Sequence, residues 1–222
     1  MSKTVVFSHG FGVERDDRGL FSDILDALGD VTGVMFDYNQ IDQDHKTLTV
    51  RPLSEQVEIL SGVIEEVRKD KPESLHLIAH SMGCAVAAMA CPTGIDSVIM
   101  IAPPLEPGSQ HSIKYFAERP GSEVNLQGIS RVARSDGSTT IVPSQYWKER
   151  GEFDPTALYN KFSSKTRLTL IRAGQDNVLV GEEPHGLSDE IKIITLDGDH
   201  DFSGKDRQPL VDLAKTKLEE PQ

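Results

Sequence analysis

The sequence predicts an α/β protein, a mostly parallel sheet with helices on both faces, and two observations carry that expectation. Strand-like and helix-like patterns alternate from the first residues onward, the order produced when a parallel sheet is covered by its own crossover helices. The 222 residues, 37% of them hydrophobic, fall in short periodic blocks between turn signals. That is enough for one sizeable core and unlike a disordered chain. Residues 1–222 read as a single domain carrying a lid-like insertion at 105–165.

Each element has its own signal. Residues 4–8 form an apolar strand that runs into the loop His9-Gly10-Phe11-Gly12. Leu20, Phe21, Ile24, Leu25 and Leu28 keep helical spacing until Gly29 stops them. Residues 31–38 are the next strand, and residues 39–49 read as a polar loop. Leu53, Val57, Leu60, Ile64 and Val67 share one face of an amphipathic helix. A buried strand at 75–80 meets a small-residue helix beginning at Met82, and strands follow at 97–102, 167–172 and 191–196. The last helix starts near Lys205, tolerates Pro209 in its first turn, and buries Leu210, Leu213, Ala214 and Leu218. Within the insertion, Asp136-Gly137 suggests a two-residue hairpin turn, Ser144 a helix cap, and Asp154-Pro155 a second helix start.

Bulk properties exclude several functions. A formal charge of −12 and a pI near 5.0 argue against a nucleic-acid surface, which needs clustered Lys and Arg. No apolar run is long enough to cross a bilayer, and the opening residues carry no signal-peptide pattern. Cys84 and Cys91, placed on one helix about 10 Å apart, are too far from each other for a disulfide. The expectation is therefore a cytoplasmic protein with reduced core thiols.

Ala79-His80-Ser81-Met82-Gly83 places a serine between a buried strand and a helix of small residues. A sharp turn there pushes the hydroxyl clear of the sheet, and small residues two positions away on each side let the backbone bend. Taken alone, the same serine could merely cap the helix. Asp176 follows the strand ending at 172, and His200 follows the strand ending at 196. All three occupy the carboxyl ends of strands, where functional groups of parallel sheets gather.

In this order and context, with Ala79 in place of the usual first glycine, the chain resembles the α/β-hydrolase superfamily. The resemblance covers most of the chain outside 105–165. It implies that Ser81 is a nucleophile, His200 its general base and Asp176 the residue orienting His200. It also implies that the backbone N–H groups of Phe11 and Met82 form an oxyanion hole. Asp199 and Asp201 flank His200 but, as adjacent residues, are poorly placed to orient it.

The function so implied is hydrolysis of a small-molecule carboxylic ester or thioester through an acyl-enzyme. Two alternatives remain: acyl transfer by the same triad, or a ligand-binding or sensing protein that keeps the fold. Tyr146 and Trp147 in the insertion are candidate substrate contacts, and the acidic loop at 14–17 hints at neutral or cationic substrates. No cofactor or metal is implied. His76 and His80, four apart on a strand, stand about 13 Å from each other and cannot share a zinc ion. Residues 197–208 lack the glycine and glutamate of a calcium loop, and Arg15 replaces the third glycine of a dinucleotide fingerprint. His9, His45, His111 and His185 read as structural or surface residues, and Cys84 as core packing.

Overall fold

A computed structural model describes residues 3–108 and 110–220, apart from the side chains of His111 and Ser112. The expectation for His111 therefore lies outside the described residues. In chain order the elements are β1 (Lys3–Ser8), α1 (Leu20–Leu28), β2 (Val31–Met35), β3 (Gln40–Asp42), β4 (Thr47–Thr49) and α2 (Leu53–Lys69). Next come β5 (Ser74–His80), α3 (Met82–Ala90), β6 (Ser97–Ile101), α4 (Gln110–Ala117), β7 (Ser130–Ala133) and β8 (Thr139–Val142). The chain continues with α5 (Ser144–Gly151), α6 (Pro155–Ser163), β9 (Arg167–Ala173), β10 (Lys192–Leu196) and α7 (Arg207–Glu219).

The central sheet has six strands, all parallel, in the order β10-β9-β6-β5-β1-β2. Its inner strands are apolar on both faces. Val6, Leu77, Val98 and Leu170 pack toward α2, α3 and α6, while Val5, Ile78, Ile99 and Ile171 pack toward α1 and α7. Side chains of a strand alternate between faces, so continuous apolar runs mean burial from both sides. Phe7 and Phe21 join β1 to α1, ring centroids 4.9 Å apart. Each such buried ring contributes about 1.5–3 kcal/mol. Among the described residues, no helix is long and apolar enough to cross a membrane.

Several local expectations need correction. The strand at 31–38 ends at Met35, and the polar loop at 39–49 contains β3 and β4. These three-residue strands join β8 and β7 in a second sheet, β3-β4-β8-β7. The hairpin after β7 uses a three-residue loop: Gly137 N–H reaches Arg134 C=O at 3.1 Å, with Gly137 at φ 80°. Left-handed glycine after a tight turn is the usual device for that loop length. Pro143 takes the N-cap of α5, so Ser144 is the first helical residue instead of the cap. Cys91 lies one residue past α3, at its C-cap with φ 43°, and both cysteines are free and buried. The Asp154 side chain does cap α6, accepting from Ala157 N–H at 3.0 Å.

The 105–165 segment is not uniform. Tyr159 and Phe162 of α6 are fully buried, and the Tyr159 hydroxyl donates to Pro104 C=O at 2.8 Å. α6 therefore belongs to the helical layer over the sheet, while α4, α5 and the β7–β8 hairpin surround the carboxyl end of β5.

Candidate active site

The site forms where four parallel strands end. β5 stops at His80 and α3 starts at Met82, leaving Ser81 as the hinge with φ 51° and ψ −120°. Such a conformation costs a non-glycine residue on the order of 1–3 kcal/mol. Here it is held from both sides. Ser81 N–H donates to Ile101 C=O at 2.8 Å, and α3 packs onto the end of β1. A Cβ on Gly83 would collide with the Ser8 carbonyl and stand 2.7 Å from His9 O. The Ser8 hydroxyl donates to Gly83 C=O at 3.0 Å and accepts from Tyr38 at 2.7 Å.

Ser81 makes no side-chain capping bond to α3. Its Oγ lies 2.8 Å from His200 Nε2, and His200 Nδ1 lies 2.7 Å from Asp176 Oδ2. A carboxylate can only accept, so Nδ1 carries the proton and Nε2 is free to accept from the serine hydroxyl. Asp176 is fixed in turn by the N–H groups of Val178 and Leu179, at 2.8 and 2.7 Å from its Oδ1. Burial pushes the Asp176 carboxyl up, but the hydrogen bond and charge of His200, with these two donors, hold it below its ordinary value. Asp199 instead accepts from Ser203 N–H, and Asp201 pairs with Arg18 at 2.7 Å. Neither flanking aspartate bonds His200.

Phe11, Ser81 and Met82 border one small cavity. The Met82 N–H opens α3, where first-turn donors lack intrahelical partners. The Phe11 N–H meets no acceptor among the described residues. Tyr146 and Trp147 line the same cavity, and the Phe11 ring packs on both, at centroid distances of 5.3 and 6.1 Å. Trp147 Nε1 donates to Ser130 Oγ at 2.9 Å, so its polar atom serves the small sheet and only its ring is offered to the cavity.

Two groups escaped the sequence reading. The first is a buried pair behind the serine, His80 and Asp17, with relative exposures of 2% and 3%. Asp17 Oδ2 lies 2.8 Å from His80 Nδ1 and also accepts from Gly10 N–H at 2.8 Å. His80 Nε2 lies 3.0 Å from His200 C=O. Both partners of His80 are acceptors, so both ring nitrogens must donate and the ring is an imidazolium. Burial works against that charge, but Asp17 overcomes it and the His80 pKa is raised. Asp17 shows the converse: burial pushes its carboxyl up, and His80 with the Gly10 N–H brings it well below its ordinary value. The pair anchors the His200 backbone and the loop carrying Phe11. His80, His200 and Asp201 could in principle approach one metal ion, but all four ring nitrogens are engaged. His9 is structural as expected, accepting from Tyr38 N–H at 3.0 Å, and burial lowers its pKa.

The second is Arg150. It borders the cavity beside Ser81 and is 1% exposed, yet none of its three guanidinium nitrogens has a hydrogen-bond partner among the described residues. Its guanidinium lies 5.3 Å from the Phe153 ring centroid. Such a contact offers about 0.5–2 kcal/mol, against a burial penalty of several kcal/mol for an unpaired charge. Glu182, an acid that acts on it electrostatically, is occupied by the N–H groups of Leu105 and Glu106 at 2.6 and 3.1 Å. The helical spacing of Tyr146, Trp147 and Arg150 was the available signal, since it puts all three on one face of α5.

A family model described as the alpha/beta hydrolase family matches residues 5–211. Among solved structures, Est1E from Butyrivibrio proteoclasticus superposes with a TM-score of 0.67 at 14% identity, over 98% of this chain and 87% of that one. The esterase domain of a Rhodothermus marinus protein gives 0.68 at 16% identity, over 97% and 86%. The monoacylglycerol lipase of Paleococcus ferrophilus gives 0.60 at 15% identity, over 96% and 94%. At these identities the likeness is one of fold. No curated protein matches the sequence.

Proposed function

The chain belongs to the alpha/beta hydrolase family, and from that premise we propose that it is a serine hydrolase cleaving a carboxylic ester or thioester through an acyl-enzyme. One observation carries the reading: Ser81 Oγ, on a strained hinge, sits 2.8 Å from a His200 ring whose other nitrogen is held 2.7 Å from Asp176. A structural serine needs neither the strain nor an oriented imidazole.

The roles follow from the proton positions. His200 Nε2 takes the Ser81 proton as Oγ attacks the substrate carbonyl, and Asp176 stabilises the imidazolium that forms. The N–H groups of Phe11 and Met82 receive the oxyanion. His200 then protonates the leaving alcohol or thiol. Water, deprotonated by the same ring, releases the acid and restores Ser81. The chemistry consumes only substrate and water. The acyl group enters the cavity bordered by Met82, Tyr146 and Trp147, while the leaving group departs past His200, Asp199 and Arg119. Residues 105–165 act as the specificity element over the site, through α4 and α5.

Labelling with a fluorophosphonate probe tests this directly. The wild type should label and hydrolyse p-nitrophenyl esters, and Ser81→Ala and His200→Ala should do neither. A folded wild type that neither labels nor turns over any ester would overturn the proposal in favour of a ligand-binding protein.

A further inference from the structure

The cavity that receives the acyl group is small, about 20 Å³, and is walled by the rings of Phe11, Phe116, Tyr146 and Trp147 together with apolar side chains such as Met82 and Leu179. A short apolar acyl chain would be served by rings alone. Arg150 is nevertheless in the wall, 1% exposed, with all three guanidinium nitrogens unpartnered among the described residues. A guanidinium offers five N–H donors in a planar fork and cannot shed its charge. Its long side chain could have reached solvent had the charge been incidental. It is instead buried with Tyr146 and Trp147 of the same helix, its guanidinium over the Phe153 ring.

We infer, building on the serine-hydrolase reading, that Arg150 is a specificity residue that grips a carboxylate on the acyl group, so that the substrates are half-esters or half-thioesters of short dicarboxylic acids. A carboxylate is flat and accepts two parallel N–H bonds from a guanidinium, which suits a slot between aromatic rings. It also supplies the one charge the cavity lacks. The acidic exterior points to neutral or cationic substrates, but the interior opposes it. Asp17, part of the acidic loop behind that expectation, is buried and has its charge paired with His80. In the reaction, Ser81 Oγ bonds to the ester carbonyl carbon, and the bond to the leaving oxygen or sulfur breaks as that atom takes its proton from His200. Water then cleaves the acyl-serine to free the dicarboxylic acid. The distal carboxylate stays on Arg150 throughout and takes no part in bond breaking.

The test is turnover at pH 7 of the monomethyl esters of malonic, succinic and glutaric acids, each against a neutral methyl ester of matched length. Acetoxyacetate, which carries its carboxylate on the alcohol side, is the third arm. Wild type should favour its best half-ester over the neutral partner at least tenfold in kcat/KM, mainly through KM, and should not favour acetoxyacetate. In Arg150→Met, which keeps the side-chain bulk, the ratio should fall to one or below. If that variant does not fold, Arg150→Lys, a point charge without the fork, should lower the ratio at least tenfold. Malonate, succinate or glutarate should raise the thermal midpoint of wild type but not of the variant. A wild type that prefers the neutral esters, a preference for acetoxyacetate, or a ratio insensitive to both substitutions would overturn the inference. Should wild type fail to label with fluorophosphonate, the hydrolase reading is what fails. The midpoint shift then decides the Arg150 site alone, and its absence rejects it.

Discussion

On one side of Ser81 the buried charges are paired; on the other, one is not. Asp17 and His80 lie under the serine bonded to each other and to their surroundings: Asp17 accepts from Gly10 N–H and from His80, and the other His80 ring nitrogen meets His200 C=O. Arg150, across the hinge, is as deeply buried and uses no donor among the described residues. A folded chain satisfies the polar groups it needs for its own architecture. The first arrangement is architecture, because it positions the backbones of His200 and of the loop bearing Phe11. The second has no hydrogen-bond partner among the described residues, and the inferred substrate carboxylate would complete it.

Breaking the serine itself should have the largest effect. Ser81→Ala is expected to lower ester turnover about 10⁴-fold or more, measured as kcat/KM on a p-nitrophenyl ester, with the fold retained by circular dichroism. Retained turnover would assign the chemistry elsewhere.

The paired side comes next. Asp17→Ala strands an imidazolium in the interior and leaves Gly10 N–H without its acceptor. The expected cost is about 3–5 kcal/mol in urea unfolding, together with a fall in kcat as His200 and Phe11 lose their support. Arg150→Met, by contrast, removes an unpaired buried charge and should leave stability equal or higher. Equal losses in both variants would erase the distinction between the two regions.

Gly83→Ala probes the geometry that both regions share. Its Cβ would meet two backbone carbonyls, Ser8 and His9, which cannot swing aside as a side chain would. The expected cost is about 3 kcal/mol, with Ser81 drawn away from His200 and labelling slowed. Normal stability would mean that α3 can shift from β1 without loss.

What the sequence made legible follows the same physics. Strong apolar periodicity marked the central strands and the helices that cover them, because the inner strands β1, β5, β6 and β9 are largely buried and their neighbours dictate residue type. The meeting of Ser81, His200 and Asp176 was readable because chain order and strand ends are sequence properties. β3 and β4 were not, since Gln40–Asp42 and Thr47–Thr49 each carry a single apolar residue, too few to set a period. His80 was weighed only as a metal ligand with His76, because its true partner, Asp17, is 63 positions away. Arg150 was hidden by Lys148 and Glu149, which make its helix look solvated. Burial of a charge is a property of the assembled cavity.

His76 and His80 offer the finest comparison, because they stand on one strand and should titrate with opposite signs. His80 is raised by Asp17 and Asp201 against its burial. It contributes stability that is fully present below its unfolded value of about 6.5 and is lost as pH rises through the folded value. His76 is lowered from 6.5 to about 4, first by burial and then by Lys3 and Arg167, with Asp96 opposing. Its ring lies between the hydroxyls of Ser97 and Ser74, at 2.8 and 3.1 Å, which can bond the neutral form. The unfolded chain therefore binds a proton first, and stability is complete above about pH 6.5 and falls as pH drops toward 4. At about 1.4 kcal/mol per unit, that limb is worth at most about 3.5 kcal/mol. Urea unfolding from pH 4 to 9 separates the two. His76→Gln should flatten the acid limb and leave the alkaline one, and His80→Gln should do the reverse. If His76→Gln left the loss between pH 6.5 and 4 intact, the assignment to His76 would be overturned, because carboxylates such as Asp176 and Asp17, with depressed values, lose their contribution only lower, below about pH 4.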